Sequence, residues 1–333
     1  MHRRPRRLAG ATLTLAAALA AAGCSGGPTG SAATGDGAGW QFTDDLGTTV
    51  ELDEAPARVA GLNDVVASLW NYGVEPVAAF GQTSAADDVA FEGRDLSDLA
   101  IVGESYGQID LERLAAADPD VIVTSVYPVD SSGSFDESQP LYGFESVEQQ
   151  EQVAEIAPII AIGYRGSAAD VIERTVELAD SLGADAGLVE SARADFDAAS
   201  ARLTEAAASG ITVLPVYATE ADGWWMAKAP DDPALRLYSD LGVRFVDPGG
   251  EGYFWETVGW EEVPGYPSDV LLYSLRFSMT PEEIAAQPTA ALLPAVGSGQ
   301  LHPWKYVGMD YAAQAAYMEE LAGWLESAAD VTP

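Results

Sequence analysis

The chain reads as an α/β protein: two lobes joined by a single long rigid helix. Three observations carry that reading. Apolar runs of strand length alternate with helical periodicity beyond residue 40, the rhythm of parallel sheets covered by helices. An 18-residue unit recurs without a gap, as "DLERLAAADPDVIVTSVY" (Asp110 to Tyr127) and "GWEEVPGYPSDVLLYSLR" (Gly259 to Arg276). It sets Glu112 on Glu261 and Asp120 on Asp269, each aspartate opening a continuous apolar strand of the kind buried on both faces. Between the two copies, Leu188, Ala192, Phe196, Ala199 and Leu203 draw one apolar stripe over residues 185–208, a helix of roughly 33 Å.

The first 23 residues hold four arginines, no acid, and an apolar run from Leu8 to Ala22 that is too short for a comfortable membrane span. They read as an export signal of the lipoprotein type, ending before Cys24, the chain's one cysteine and the expected lipidation site. Residues 24–39, rich in Gly and Ser, follow as a flexible tether. Residues 40–184 form the N-terminal lobe. In it "NDVVASLWNYG" is a helix with Asn63 as its expected N-cap, Val65, Val66, Leu69 and Tyr72 as its apolar stripe, and Gly73 as its stop. "VEPVAAFG" returns as a strand, and "SAADVIERTVELADSLG" is the lobe's last helix. Asp185 and Gly210 bound the linking helix. Residues 209–333 repeat the rhythm as a C-terminal lobe: "ITVLPVYA", "DDPALRLYSDLG", "VRFVDP" and the closing helix "DYAAQAAYMEELAGWLESAA".

Charge narrows the function. Sixteen basic residues face 52 acidic ones, a net −36, and without the first 23 residues 12 face 52, a net −40. Such a surface repels phosphate backbones, which excludes nucleic-acid binding. Beyond the signal the chain has a single histidine, His302, too few for the multi-histidine sites that divalent transition metals prefer. No HExxH, G-x-S-x-G or P-loop pattern occurs, so no enzyme is expected. A secreted hydrolase with paired carboxylates stays open as an alternative, without a specific pair to carry it.

The segments "ARVAGLNDVVASLWNYGVEPVAAFG", "VGESYGQIDLERLAAADPDVIVTS", "WWMAKAPDDPALRLYSDLGVRFVDP" and "LLPAVGSGQLHPWKY" occur in an order and spacing that resemble one family. That family is the substrate-binding lipoproteins of ABC importers for iron-siderophores and cobalamin, and the resemblance spans roughly residues 40 to 328. It implies two Rossmann-like lobes on a rigid helix and a ligand in the cleft between them. It also implies a monomer held by its lipid at the outer face of the cytoplasmic membrane, with an ABC permease as partner. The expected ligand is a ferric siderophore, hydroxamate favoured, bringing its own Fe3+ so that no cofactor is needed; cobalamin or haem is the alternative. "LHPWKY" and "GYFWETVGW" resemble cleft-wall segments, which places Trp304, Tyr306 and Trp255 in the site. Arg276 and Tyr127, at strand ends, and one face of "GWWM", with Trp225 as the candidate, join them. Relatives of the ferrichrome-binding type carry an arginine where "GESYGQ" stands here, and Tyr106 is expected to take part of that role. Trp260 and Trp324 are expected in packing, and His302 at the cleft rim or in packing, not as an iron ligand. One glutamate per lobe docks the permease in this family, here Glu261 and either Glu148 or Glu151.

Overall fold

The computed structural model describes residues 39–221 and 223–332. The N-terminal lobe opens on a hairpin, β1 (Trp40–Thr43) and β2 (Thr49–Leu52), followed by β3 (Val59–Leu62), β4 (Pro76–Phe80), β5 (Ala100–Ile101), β6 (Val121–Val126) and β7 (Ile159–Gly163). The last five make a parallel sheet in the order β5-β4-β3-β6-β7. All six residues of β6 are buried, Thr124 and Ser125 among them, as expected of a strand covered by helices on both faces. Those helices are α1 (Asn63–Asn71), α2 (Leu111–Ala116), α3 (Val147–Ala154) and α4 (Ala168–Ser181). Asn63 is not the cap of α1 but its first residue; its amide instead donates to Thr83 O at 3.1 Å and Asp88 Oδ2 at 3.0 Å, tying α1 to the loop after β4.

Helix α5 (Ala186–Ala207) links the lobes, with Asp185 Oδ1 accepting from Gly187 N at 2.8 Å at its start. The C-terminal lobe holds β8 (Thr212–Thr219), β9 (Gly223–Ala227), α6 (Pro233–Asp240), β10 (Arg244–Phe245), β11 (Trp255–Val258), β12 (Val270–Ser274), α7 (Pro281–Ala286), α8 (Pro294–Gly297), β13 (Leu301–Trp304) and α9 (Tyr311–Ser327). Its sheet runs β11-β9-β8-β12-β13, with β10 pairing the start of β8. Strands β8, β12 and β13 are mutually parallel, while β9 pairs antiparallel with β8 and β11 with β9.

The repeated unit performs the same task in both lobes. Asp120 Oδ2 accepts from Ala57 N and Arg58 N at 2.8 and 2.9 Å, just ahead of β3. Asp269 accepts from Thr212 N at 2.8 Å where β8 begins, and from Val331 N and Thr332 N at 2.8 Å. Each aspartate thus clamps the start of its lobe's second central strand to the first. The lobes meet along a seam beside α5. Asp185 N donates to Tyr72 O at 2.8 Å, Tyr311 N to Tyr72 Oη at 2.9 Å, and Asn71 Nδ2 to Asp310 Oδ1 at 2.9 Å. The stripe of α5 packs on α9, with Phe196 and Tyr311 rings 5.2 Å apart, and one buried core runs through both lobes.

Candidate ligand-binding cleft

In each sheet the chain winds outward one way from its first central strand and then returns to build the other side. The switch falls between β3 and β6 in one lobe and between β8 and β12 in the other. Crevices beyond the carboxyl ends of such strands are where open α/β sheets hold ligands. Asp64 follows β3, Tyr127 follows β6, Tyr217 lies near the end of β8 and Arg276 follows β12. Between the two switch points lies a cleft of about 470 Å³. The N-terminal lobe contributes Gln82, Tyr127, Pro128 and Tyr142; the C-terminal lobe contributes Tyr217, Trp225, Asp232, Tyr253, Phe254, Trp255, Arg276, Phe277 and Tyr306.

The rings brace one another. Tyr217, Trp225 and Trp255 form a corner with centroids 6.3, 6.3 and 6.4 Å apart, and Phe254 stands 5.0 Å from Trp255. On the opposite wall Tyr142 lies 4.9 Å from Tyr127 and 5.5 Å from Tyr106. Ring-to-ring packing of this sort, mostly edge-to-face, holds the rings in place. Burial, the largest cause in each case, raises the phenols of Tyr127, Tyr142 and Tyr306 above the ordinary tyrosine value. All three keep their protons at neutral pH, and a protonated phenol can donate a hydrogen bond. Gln82 Nε2 donates to Tyr142 Oη, which frees the Tyr142 proton for another acceptor.

At the junction of the lobes Arg276 Nη2 donates to Asp64 Oδ1 at 2.6 Å, with side chains 17% and 9% exposed. The guanidinium lies 4.6 Å over the Tyr306 ring, in cation–π contact. Burial lowers Arg276, but Asp64, Tyr142 and Tyr127 more than reverse this, and the group stays cationic. Burial raises Asp64 above its ordinary value against the pull of Arg276. Asp232, the N-cap of α6, accepts from Leu235 N at 2.8 Å, and burial pushes its carboxyl up to about 6. Two wall residues hold unusual backbone: Phe254 at φ 64° and Phe277 at φ 52°, the left-handed region that disfavours bulky side chains.

The structure brings Tyr127, Trp225, Trp255, Arg276 and Tyr306 together as the sequence predicts. Trp225 faces the cleft while Trp224, its neighbour in β9, is wholly buried against Trp260 at 5.6 Å. Tyr106 stands at the rim, 42% exposed, reaching the cleft only through Tyr142. Trp304 sits deeper. It is 2% exposed and lies behind Trp255 and Tyr306, at 5.9 and 4.7 Å, and it borders a small hollow of about 30 Å³ that Asp64, Tyr127, Arg276 and Tyr306 also line, not the open face of the main cleft. The reason is that Trp304 is still in β13, paired with Ser274, whereas Tyr306 has left the sheet. His302 stacks flat on Trp324 at 4.6 Å, and burial lowers its pKa. Glu148, Glu151 and Glu261 are exposed, and Cys24 lies outside the described residues. Sequence reasoning misses Asp64 at the lobe junction and, on the cleft wall, Gln82, Pro128, Tyr142, Tyr217, Asp232, Tyr253, Phe254 and Phe277. A second hollow, about 380 Å³, is lined by small residues such as Ala67, Ala90, Ala312, Ala313 and Ala316 together with Asn71, Glu92, Lys305, Asp310 and Glu320, and Tyr317 is the one aromatic among its described lining residues.

Two α/β lobes with a single helix between them and an aromatic cleft at both switch points define a solute-binding protein. The chain matches the model of the family described as Periplasmic binding protein over residues 61–305, and it belongs to that family. Membership makes it a binding protein that works outside the cytoplasm, not an enzyme. It is similar to the solved structure of DesE, a ferric-siderophore receptor protein from Streptomyces coelicolor, at 33% identity and a TM-score of 0.77, covering 88% of this chain and 100% of that one. It shares its fold with the siderophore periplasmic binding protein of the fuscachelin gene cluster of Thermobifida fusca (24% identity, TM-score 0.58, 82% and 97% covered). The same holds for the siderophore binding protein FhuD from Vibrio cholerae, solved with Fe3+-Desferal (20%, 0.59, 83% and 99%). No curated protein sequence matches the chain.

Proposed function

We propose that the protein captures a ferric siderophore, of the hydroxamate type, in the interlobe cleft and delivers it to an ABC permease. The observation that carries this is the cleft itself: ring faces and protonated phenols around one arginine that is already paired. A ferric chelate is bulky, apolar outside and studded with oxygen acceptors, which matches ring faces and phenol donors. The similarity to a ferric-siderophore receptor over nearly the whole chain supports the same reading. Hydroxamates are favoured over catecholates by charge. Arg276 is offset by Asp64 and Asp232 stands nearby, so the wall offers a strongly anionic ferric catecholate no net attraction. Iron arrives inside its chelator, so the protein supplies no metal ligands.

Titrating intrinsic tryptophan fluorescence with ferric hydroxamates, ferric catecholates, cobalamin and haem tests this, since Trp225 and Trp255 line the cleft. Saturable quenching by a hydroxamate is expected; a response to cobalamin or haem alone would overturn it. The protein works as a monomer, tethered through a lipid on Cys24 with residues 24–39 as leash. Continued membrane association of a Cys24→Ser variant would refute the tether. Glu261 and Glu148 or Glu151 dock the permease, and Glu261→Arg is expected to stop uptake while leaving ligand affinity intact.

A further inference from the structure

We propose that Asp64 sets the charge class of the cargo, by holding Arg276 as a neutral pair at the junction of the lobes. The inference rests on the siderophore reading and deepens it. Among the described residues that line the cleft, Arg276 is the one cation. Left alone, a buried guanidinium at the end of β12 would make the cleft a trap for anions. Asp64 removes that bias. It sits in the first turn of α1, at the carboxyl end of β3, and meets Nη2 at 2.6 Å from the opposite lobe.

The pair does not open when a ligand arrives. A chelate that drew Arg276 away would leave a carboxylate only 9% exposed without its partner, and stranding a buried charge is among the costliest changes a protein makes. Arg276 therefore stays, and Nε and Nη1, which have no acceptor among the described residues, are left to donate to ligand oxygens. The ligand meets hydrogen-bond donors without a net positive field. Asp232, 8% exposed on the same wall, adds to the discrimination against anions. A purely structural interlobe tie would have no such dependence on ligand charge, which is what separates the two roles.

The test compares the unaltered protein with Asp64→Asn, titrating each with a neutral ferric trihydroxamate and an anionic ferric catecholate. The isosteric amide exposes the Arg276 charge, and one uncompensated charge a few ångströms from the ligand shifts the ratio of the two affinities toward the anion by about tenfold or more. The shift shrinks with added salt and disappears in the Asp64→Asn, Arg276→Gln double variant. Should Asp64→Asn fail to fold, Asp64→Ser, which admits water beside the guanidinium, gives the same comparison. Equal changes in both affinities, or none, would overturn the inference alone. Failure of the unaltered protein to bind any ferric chelate would overturn the siderophore reading and this inference with it.

Discussion

Phe277 is a bulky residue in left-handed backbone at φ 52°, yet it is 61% exposed and so gains little from packing. A strained, exposed aromatic on a cleft wall is expected where ligand contact, not stability, retains it. Phe277→Gly separates the two effects because they have opposite signs. Left-handed backbone costs a non-glycine residue about 1–2 kcal/mol. Glycine returns about 0.5–1 kcal/mol of that through its freer unfolded chain. The variant should therefore be more stable by about 0.5–1 kcal/mol, an upward shift of Tm of about 1–3 °C in a chain of this size. Affinity moves the other way. A phenylalanine offers about 200 Å², so the 61% left exposed is about 120 Å². A ligand that covers half of it gains about 1.5 kcal/mol, or about tenfold in Kd. Thermal melts without ligand and fluorescence titration with it measure the two quantities on one sample. A fall in Tm with affinity intact would show that Phe277 packs instead of binding, and the reasoning would fail.

Trp255 and Trp304 should part company. Trp255→Ala is expected to weaken binding by about 1–3 kcal/mol with little change in stability, the behaviour of a contact anchor. Trp304→Ala should cost about 3–5 kcal/mol of stability in denaturant melts, as the loss of a fully buried ring does. Asp269 governs part of the acid response. Burial raises its carboxyl, but hydrogen bonds from Thr212, Val331 and Thr332 outweigh that and hold it at about 2, below the ordinary 3.8. A depressed pKa adds stability above the unfolded value that is lost as pH falls through the folded one. Asp269→Asn should thus cost about 2 kcal/mol at neutral pH, an excess that vanishes near pH 2. Small-angle scattering should find the radius of gyration unchanged on ligand binding, because α5 contains no proline to bend at and Gly187 lies near its start; a clear fall would mean the lobes close.

Much of this was legible in the sequence because it rests on periodicity. The stripe of α5, the buried run of β6 and the paired Asp120 and Asp269 all follow from local pattern, and the strand ends then locate Tyr127 and Arg276. What stayed hidden depends on partners far away in the chain. Asp64 is one acid among 52, and only the approach of Arg276, 212 residues on, distinguishes it from a solvated one. Tyr142 lies in the irregular stretch between β6 and α3, where no period exists to orient it. Trp304 and Tyr306 share a parity and looked equivalent, yet one is covered by the other. Left-handed backbone at Phe254 and Phe277 leaves no trace in residue type, since both are residues that ordinarily avoid it.

The seam beside α5, where Tyr72 accepts from Tyr311 and carries Asp185, has a consequence for unloading. On the proposed reading, halves stitched at one edge and spanned by an unbroken helix leave a loaded receptor with the shape of an empty one. A permease would then have to read occupancy at the cleft mouth, from the cargo itself or from exposed rings such as Phe277. Emptying would take leverage from outside, the lobes gripped separately and strained apart against that stitched edge. The work of release would fall to the machine that docks, and the unaided receptor would keep its load for as long as the contacts in the cleft last.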